Sequence, residues 1–279
     1  MSGSSSPTVG VIGWPIAHSR SPLIHNHWMA VHRVEGRYDR LPVAPDAIEG
    51  FLADFPSSGL VGANVTIPYK EIAYRAVAER DPVAERLKAV NCLWTDGGRL
   101  VGANTDVQGF VGNLDVALPG WDDNPRVAFV LGAGGAARAV VDGLVHRGYA
   151  VRLANRTLAR AESLAALYPG RVAVCDFADA ARAALQADVV VNTTSLGMKG
   201  EGEIPLELHR LGPETIVADI VYVPLETPFL ARARAAGLRT VDGLGMLLHQ
   251  AVPSFEHWFG VRPVVTAELR ALVEADLLS

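Results

Sequence analysis

Alternating apolar and polar stretches divide the chain into segments of strand and helix length. Near the amino terminus, Thr8–Gly13 is a short apolar run of strand length that ends in a turn. After a polar loop, Ser21 precedes a proline; serine commonly caps free backbone N–H groups, and proline fits a first helical turn. We therefore predict a strand, a loop and a helix capped by Ser21, whose apolar face includes Ile24, Trp28 and Val31.

The next part of the chain alternates between strand-like and helix-like patterns. The sequence Asp96-Gly97-Gly98 between two apolar runs is a hairpin signature. The patterns predict strands at 37–43, 60–66, 90–95 and 99–103, and helices at 45–55 and from Lys70 to about Glu79.

The pattern becomes more regular after Asp106. A helical run extends to Leu118, and strands then alternate with helices. The predicted strands are 126–131, 150–154, 171–174, 189–192, 215–218 and 239–241, and the last two predicted helices are 243–259 and 266–277. Alternation at this spacing is typical of an α/β fold with a parallel sheet and helices on both faces.

Length and charge limit the function classes. A chain of 279 residues suggests about two domains. Acidic residues (30) slightly outnumber basic ones (25), and no run rich in Lys or Arg indicates a nucleic-acid surface. No run approaches 18 apolar residues, so we expect no membrane span.

Cysteine content and the first residues indicate the compartment. The only cysteines, Cys92 and Cys175, lie in separate strand-like segments, which argues against a disulfide framework or a cysteine-based metal site. The start of the chain, 1–8, has no basic or apolar stretch and is expected to be a short disordered lead-in rather than a secretory signal. Four histidines near the first helix show no zinc-ligand spacing, so no metal site is predicted. We expect a cytoplasmic protein.

A glycine-rich loop follows the strand at 126–131. Its residues are Gly132, Ala133, Gly134, Gly135 and Ala136, and an amphipathic helix comes directly after them. Glycine allows a sharp turn and close approach of a pyrophosphate, to which the helix N-terminus presents free N–H groups and partial positive charge. Because the sequence indicates a strand directly before this loop and a helix directly after it, the loop predicts a dinucleotide site.

The end of the next strand indicates which dinucleotide binds. An NAD site usually has Asp or Glu there to hold the ribose hydroxyls. This chain instead has Asn155, Arg156 and Thr157, with Arg160 one turn later. A guanidinium can bind a 2′-phosphate through paired hydrogen bonds, so we predict NADP. The alternative is a helix cap at Thr157 with solvated arginines.

Polar side chains also cluster where strands of the amino-terminal half end. They are Ser19, Ser21, Asn64, Thr66, Lys70, Asn91, Asn104, Thr105 and Asp106. Such donors and acceptors suit a small molecule that carries hydroxyls and a carboxylate, although each alone is more often a cap or turn residue. Lys70 and Asp106 are a candidate acid–base pair for a carbonyl reduction. The alternative interpretation is a surface lysine and a helix-capping aspartate.

Together these motifs resemble the shikimate dehydrogenase family over nearly the whole chain. The matching stretches are 13–22 (GWPIAHSRSP), 62–70 (GANVTIPYK), 89–91 (AVN), 102–106 (GANTD), 132–136 (GAGGA), 155–157 (NRT), 192–198 (NTTSLGM) and 242–251 (DGLGMLLHQA). The resemblance implies NADP(H)-dependent interconversion of 3-dehydroshikimate and shikimate, a step of aromatic amino-acid synthesis. It also implies a two-domain α/β fold, with a substrate-binding catalytic domain at 1–106 and 243–279 and a Rossmann-like NADP-binding domain at 107–242. The protein is then a monomer or a homodimer.

The resemblance further implies individual roles. Lys70 and Asp106 form the catalytic pair and contact the substrate, and Ser19 and Ser21 bind the substrate carboxylate. The residues implied around the substrate hydroxyls are Asn64, Thr66, Asn91, Tyr222 and Gln250. The residues implied for the cofactor are Gly132, Ala133, Gly134, Gly135, Ala136, Asn155, Arg156, Thr157, Arg160, Thr193, Ser195, Leu196, Gly243 and Met246.

Two positions depart from the family pattern. Val107 stands where glycine is common, and Val223 stands where asparagine is frequent. Both leave open a shift in substrate preference, for instance toward quinate. A third reading, a dinucleotide-binding regulator without turnover, is disfavoured because Lys70 and Asp106 are both present.

Overall fold

The computed structural model describes residues 7–278, so most of the predicted amino-terminal lead-in lies outside the described residues. The chain forms two compact units. The N-terminal unit comprises the described part of Met1–Thr105 together with Gln250–Asp276. The central unit comprises Asp106–His249 together with Leu277 and Leu278. No helix within residues 7–278 is long and apolar enough to cross a membrane.

The N-terminal unit contains a mixed six-stranded sheet. Its strands are β1 (Thr8–Gly13), β2 (Arg37–Pro42), β3 (Leu60–Val65), β4 (Glu79–Arg80), β5 (Cys92–Asp96) and β6 (Arg99–Ala103). They are ordered β2-β1-β3-β5-β6-β4, with β5 antiparallel to both neighbours and the other pairs parallel. The helices of this part are α1 (Ser21–His32), α2 (Ile48–Asp54), α3 (Lys70–Ala76) and α4 (Pro82–Leu87).

The predicted hairpin joins β5 to β6. Gly97 and Gly98 have φ values of 54° and 76°, and Asp96 pairs directly with Arg99. A two-residue turn of this kind requires positive φ at both central positions, which glycine adopts without steric cost. The hairpin prediction is therefore confirmed.

The central unit contains a six-stranded parallel sheet. Its strands are β7 (Val127–Leu131), β8 (Ala150–Ala154), β9 (Val172–Cys175), β10 (Val189–Asn192), β11 (Ile216–Asp219) and β12 (Arg239–Val241). Its helices are α5 (Asp106–Ala117), α6 (Gly135–His146), α7 (Leu158–Ala165), α8 (Ala180–Ala184) and α9 (Pro228–Ala235). Beyond them, α10 (Leu244–Phe259) runs from the central unit into the N-terminal unit, and α11 (Ala267–Leu277) follows.

The strand order of the central sheet is β9-β8-β7-β10-β11-β12, and the order reverses between β7 and β10. Successive residues of β7 belong to different apolar clusters: Ala128 and Val130 pack in one, Phe129 and Leu131 in the other. Both faces of the sheet are therefore covered, as a parallel sheet requires. Ligands of such folds bind beyond the carboxyl ends of the strands at the point of reversal.

The structure corrects the predicted apolar face and cap of α1. Ser21 is the first helical residue rather than the cap, and its backbone N–H donates to Ser19 Oγ at 3.3 Å. Val31 is 59% exposed, because the helix turns His25 and Met29, beside Ile24 and Trp28, toward the core instead.

Two predicted helices are shorter than expected. The helix from Lys70 ends at Ala76 because Val77 is extended and buried and the N–H of Ala78 donates to the Leu100 carbonyl, which leads the chain into β4. The helix predicted at 45–55 begins only at Ile48. The short β4 and α4 were not predicted.

Candidate active site

The glycine-rich loop connects β7 to α6. Gly132 has φ +109°, and a Cβ there would lie 2.5 Å from Thr193 Oγ1, so the backbone needs glycine. Cβ atoms at Gly134 and Gly135 would meet only open space, so packing within the protein does not require these two glycines. Gly134 caps α6, whose first N–H groups have no partner within the helix. The loop therefore offers donors and room for a pyrophosphate.

The end of β8 completes this part of the site. Asn155 Oδ1 accepts from the N–H of Ala133 at 3.2 Å, and Asn155 Nδ2 donates to the Thr157 carbonyl at 2.8 Å. Thr157 occupies the cap position of α7, but its side chain makes no capping bond. Arg156 and Arg160 are exposed, and neither belongs to an ion pair found within residues 7–278. Both guanidinium groups are thus accessible to an anion, and no carboxylate lies at the strand end.

The loop after β10 lies on the other side of the point of reversal. Thr193 is buried, and its hydroxyl donates to the Leu131 carbonyl at 2.8 Å, whereas Ser195 is exposed. The Leu196 N–H donates to Thr194 Oγ1 at 3.1 Å. The Thr193 N–H also donates to the Leu131 carbonyl, at 2.8 Å, so both donors of Thr193 are used within the fold.

The other cofactor residues suggested by the sequence lie at the start of α10. A Cβ at Gly243 would lie 2.3 Å from the Ile220 carbonyl oxygen, so this position admits only glycine. Met246 is half-buried one turn later and packs against the larger apolar cluster of the central unit. Tyr222 is half-buried in the segment after β11.

In the N-terminal unit, a buried amide network lies at the end of β3. Asn64 Oδ1 accepts from the Tyr38 hydroxyl at 2.7 Å, and Asn64 Nδ2 donates to the Asn91 carbonyl and to Ser254 Oγ, both at 3.0 Å. Burial raises the pKa of Tyr38 well above its usual range, so the phenol remains a donor. Asn64 is only 5% exposed, and both of its N–H groups are engaged.

Asn91 extends this network to the segment before α5. Its Oδ1 accepts from the Thr105 N–H at 2.8 Å, and its Nδ2 donates to Thr105 Oγ1 at 3.0 Å and lies 3.5 Å from Gln250 Oε1. Asn104 instead supports the fold, because Nδ2 donates to the Ala89 carbonyl at 3.0 Å. The network fixes the residue that immediately precedes Asp106, the first residue of α5.

Lys70 and Thr66 follow the same strand end. Thr66 is half-buried directly after β3, and its N–H donates to the Ile12 carbonyl at 2.9 Å. Lys70 is half-buried at the first position of α3, and its carbonyl accepts from the Val90 N–H at 2.9 Å. The backbone of both residues is thus held by neighbouring segments of the unit.

The two serines lie in and after the loop that follows β1. Ser19 is half-buried, and its carbonyl accepts from Arg40 Nε and a terminal nitrogen of the same guanidinium at 3.1 and 2.7 Å. Ser21 is 6% exposed and lies within reach of the Tyr38 hydroxyl. The β2 residues Tyr38 and Arg40 thus support the candidate site, a role that sequence reasoning missed. Their spacing of two on one predicted strand was the only signal.

Three segments of the chain match known protein families. Residues 11–93 match the model described as shikimate dehydrogenase substrate binding domain, 122–198 match shikimate / quinate 5-dehydrogenase, and 243–271 match shikimate 5′-dehydrogenase C-terminal domain. The chain is 58% identical over 270 residues to a shikimate dehydrogenase (NADP(+)) of Azorhizobium caulinodans, covering 96% of each protein.

Solved structures are similar along their whole length. A quinate dehydrogenase from Corynebacterium glutamicum in complex with NAD is 30% identical, with a TM-score of 0.88 and coverage of 97% of this chain and 99% of that one. A shikimate 5-dehydrogenase from Thermus thermophilus in complex with NADP(H) and shikimate is 33% identical, with a TM-score of 0.83 and coverage of 98% of each.

Proposed function

The chain belongs to the shikimate dehydrogenase family, and we propose that it catalyses the reversible NADPH-dependent reduction of 3-dehydroshikimate to shikimate. This reaction is a step of the shikimate pathway, which supplies aromatic amino acids. The observation that carries the proposal is the 58% identity, over almost the full length, to an NADP-dependent shikimate dehydrogenase. The strand end at Asn155, which carries arginine and no carboxylate, supports the same cofactor.

The residues of the central unit fit NADP(H). Gly132, Ala133, Gly134, Gly135 and Ala136 would hold the pyrophosphate against the N-terminus of α6, where glycine leaves open space. The side chains proposed for the 2′-phosphate and its ribose are those of Asn155, Arg156, Thr157 and Arg160. The second half of the sheet would take the nicotinamide nucleotide through Thr193, Ser195, Leu196, Gly243 and Met246. When bound, the reduced cofactor supplies the hydride.

Lys70 and Asp106 are proposed as the catalytic pair. A carbonyl that accepts a hydride becomes an alkoxide and needs a proton, which the Lys70 ammonium group donates to the new hydroxyl oxygen. In the reverse direction the neutral amine takes that proton back. The Asp106 carboxylate would accept a hydrogen bond from a substrate hydroxyl.

Substrate recognition is assigned to hydroxyl, amide and phenol groups. Ser19 and Ser21 would donate to the ring carboxylate near the N-terminus of α1, where negative charge is favoured. The residues proposed around the ring hydroxyls are Asn64, Thr66, Asn91, Tyr222 and Gln250.

The domain roles follow from these assignments. We assign substrate binding and catalysis to residues 1–106 and 243–279, and NADP binding to 107–242. We also propose that the protein is cytoplasmic, a monomer or homodimer, with a small-molecule substrate and neither nucleic-acid nor membrane partners.

Two other functions are less well supported. A quinate dehydrogenase with NAD is among the solved structures that resemble this chain, at 30% identity. The higher identity to the NADP-dependent shikimate dehydrogenase favours shikimate as the substrate. Arg156, which follows β8, favours NADP as the cofactor. A regulator without turnover would have no need of both Lys70 and Asp106.

The test is oxidation of shikimate and of quinate, each with NADP and with NAD, followed by the absorbance of the reduced nicotinamide. We expect the highest kcat/KM with shikimate and NADP. A higher kcat/KM for quinate would contradict the proposed substrate, and absence of turnover with all four pairs would contradict an enzymatic function.

A further inference from the structure

A buried carboxylate joins three segments of the central unit. Asp219, the last residue of β11, is 2% exposed. Its Oδ1 accepts from Asn192 Nδ2 at 2.8 Å and from the Val221 N–H at 3.0 Å, and its Oδ2 accepts from the Thr227 hydroxyl at 2.7 Å. Burial raises the pKa of this carboxyl group, and the three donors oppose the rise. One donor is the last residue of β10, and the other two lie in the segment after β11.

The first donor fixes the loop after β10. Asn192 pairs with Asp219 across the sheet, and its Nδ2 also donates to the Leu196 carbonyl at 3.1 Å. Its Oδ1 accepts from the N–H and the hydroxyl of Thr194 at 3.0 and 2.7 Å. The conformation of residues 193–196 therefore depends on the orientation of one amide, and Asp219 holds that amide.

The other two donors fix the segment after β11. The bond to the Val221 N–H sets the turn that precedes Tyr222, and Thr227 caps α9 by accepting from the Leu230 N–H at 3.3 Å. The two segments also touch, because the Lys199 N–H donates to the Val223 carbonyl at 2.8 Å.

A third segment packs against the same turn. A Cβ at Gly243 would lie 2.3 Å from the Ile220 carbonyl oxygen and 2.9 Å from that of Asp219. Gly243 therefore has no freedom to move toward β11. Three segments that carry proposed cofactor and substrate contacts meet around one carboxylate.

We infer that Asp219 is a positioning residue for the reaction: through Asn192, Val221 and Thr227 it sets the loop after β10 and the Tyr222 segment in the geometry that binds the nicotinamide half of the cofactor. The inference rests on the proposed function for the identity of the ligand. Asp219 itself touches neither substrate nor cofactor in this scheme. The adenosine 2′-phosphate is assigned to Arg156 and its neighbours after β8, whereas the hydrogen bonds of Asp219 go to Asn192, Val221 and Thr227.

This division allows a test by binding. Adenosine 2′,5′-bisphosphate carries only the adenosine and 2′-phosphate part of NADP. In Asp219→Asn the amide cannot accept from all three donors, and the loss of one charge-assisted bond corresponds to about 10- to 100-fold. We expect the Kd for NADP to rise by about this factor and the Kd for adenosine 2′,5′-bisphosphate to stay as in the wild type. The matched control is Asp142→Asn, a carboxylate that is 1% exposed in α6 and accepts from the Tyr168 hydroxyl at 2.8 Å.

A rise in both dissociation constants for Asp219→Asn, or an unchanged Kd for NADP, would overturn the inference. The same rise for NADP alone in Asp142→Asn would also overturn it, because any buried carboxylate of the unit would then act alike. These measurements need no turnover, so they stay informative even if the wild type fails to oxidise shikimate and the proposed function is wrong.

A second pair of variants covers the case in which Asp219→Asn does not fold. Thr227→Val removes the hydroxyl that bonds Asp219 Oδ2, and Thr227→Ser keeps it. We expect Thr227→Val to weaken NADP binding selectively and to lower kcat/KM for shikimate, and Thr227→Ser to restore both. Equal values for Val and Ser at position 227 would contradict a role for this hydroxyl in positioning.

Discussion

His25 offers a quantitative test of the core of the N-terminal unit. Its imidazole is fully buried and stacks on the ring of Tyr38 with a centroid distance of 4.3 Å and an interplanar angle of 1°. Neither ring nitrogen has a hydrogen-bond partner within the part of the chain that the structure describes. Burial lowers the pKa of His25 from 6.5 to about 3, and the nearby Asn64 side chain opposes only part of this effect.

The lowered pKa predicts a loss of stability in acid. Below pH 6.5 the unfolded chain takes up a proton at His25, whereas the folded chain resists until about pH 3. Since the unfolded state then binds more protons, the free energy of unfolding falls as the pH falls through this window. At about pH 5 the His25 contribution amounts to a loss of roughly 2 kcal/mol relative to about pH 8, of the 5–15 kcal/mol typical of a domain.

The assay is urea denaturation of the wild type and of His25→Phe across this pH range. Phenylalanine keeps an aromatic ring beside Tyr38 and cannot be protonated. We expect the stability difference between the two proteins to shift by about 2 kcal/mol in favour of the variant from about pH 8 to about pH 5. The matched control is His32→Phe, which makes the same exchange at the exposed end of the same helix. A His25→Phe curve parallel to the wild type would refute the reasoning, because the imidazole would then be charged, or accessible to water, in the folded protein.

Four further predictions address the site and the packing. Lys70→Ala should lower kcat for shikimate oxidation by about 10²–10⁴-fold with a much smaller change in KM, and a near-normal kcat would exclude it as the proton donor. Arg156→Asp should lower kcat/KM for NADP by one to two powers of ten and recover some use of NAD. An unchanged ratio of kcat/KM for NADP to kcat/KM for NAD would show that Arg156 does not bind the 2′-phosphate. Ser21→Ala should raise the KM for shikimate by about 10- to 100-fold, since Ser21 does not cap α1; an unchanged KM would remove it from the carboxylate site. Gly62→Ala would bring a Cβ within 2.0 Å of Trp258 Nε1, so chemical denaturation should show a loss of about 1–3 kcal/mol, and a wild-type midpoint would mean that the indole moves freely.

Sequence reasoning was most accurate for the central sheet. The strands predicted at 150–154, 189–192 and 239–241 have the observed bounds, because each is a short run flanked by turn residues and competes with no helical pattern. The first helix was predicted less well. Apolar spacing favoured Val31, whereas the structure buries His25, a residue that pattern rules treat as polar and whose burial depends on Trp28, Tyr38 and Phe255.

The polar contacts that tie the candidate site together could not be predicted in the same way. Asn192 and Asp219 are 27 residues apart, and they meet only because β10 pairs with β11 in one particular register. Asn64 and Ser254 are 190 residues apart and meet only because α10 returns to the N-terminal unit. Local pattern reveals a strand end with a polar residue, but the register and the tertiary path decide whether that residue meets a ligand or another side chain.

The hydrogen bonds that each buried amide makes within the protein limit the contacts that it can make with a substrate. Asn64 uses both N–H groups within the protein, so it can contact a substrate hydroxyl only through the second lone pair of Oδ1. The substrate hydroxyl must then be the donor, because two acceptors cannot bond. Asn192 of the central unit is engaged in the same manner, because its Nδ2 donates to the Leu196 carbonyl and its Oδ1 accepts from the Thr194 N–H. Buried amides in the two units therefore act mainly by fixing neighbouring segments. A substrate hydroxyl that needs a donor therefore cannot find it in Asn64 and must find it in another side chain.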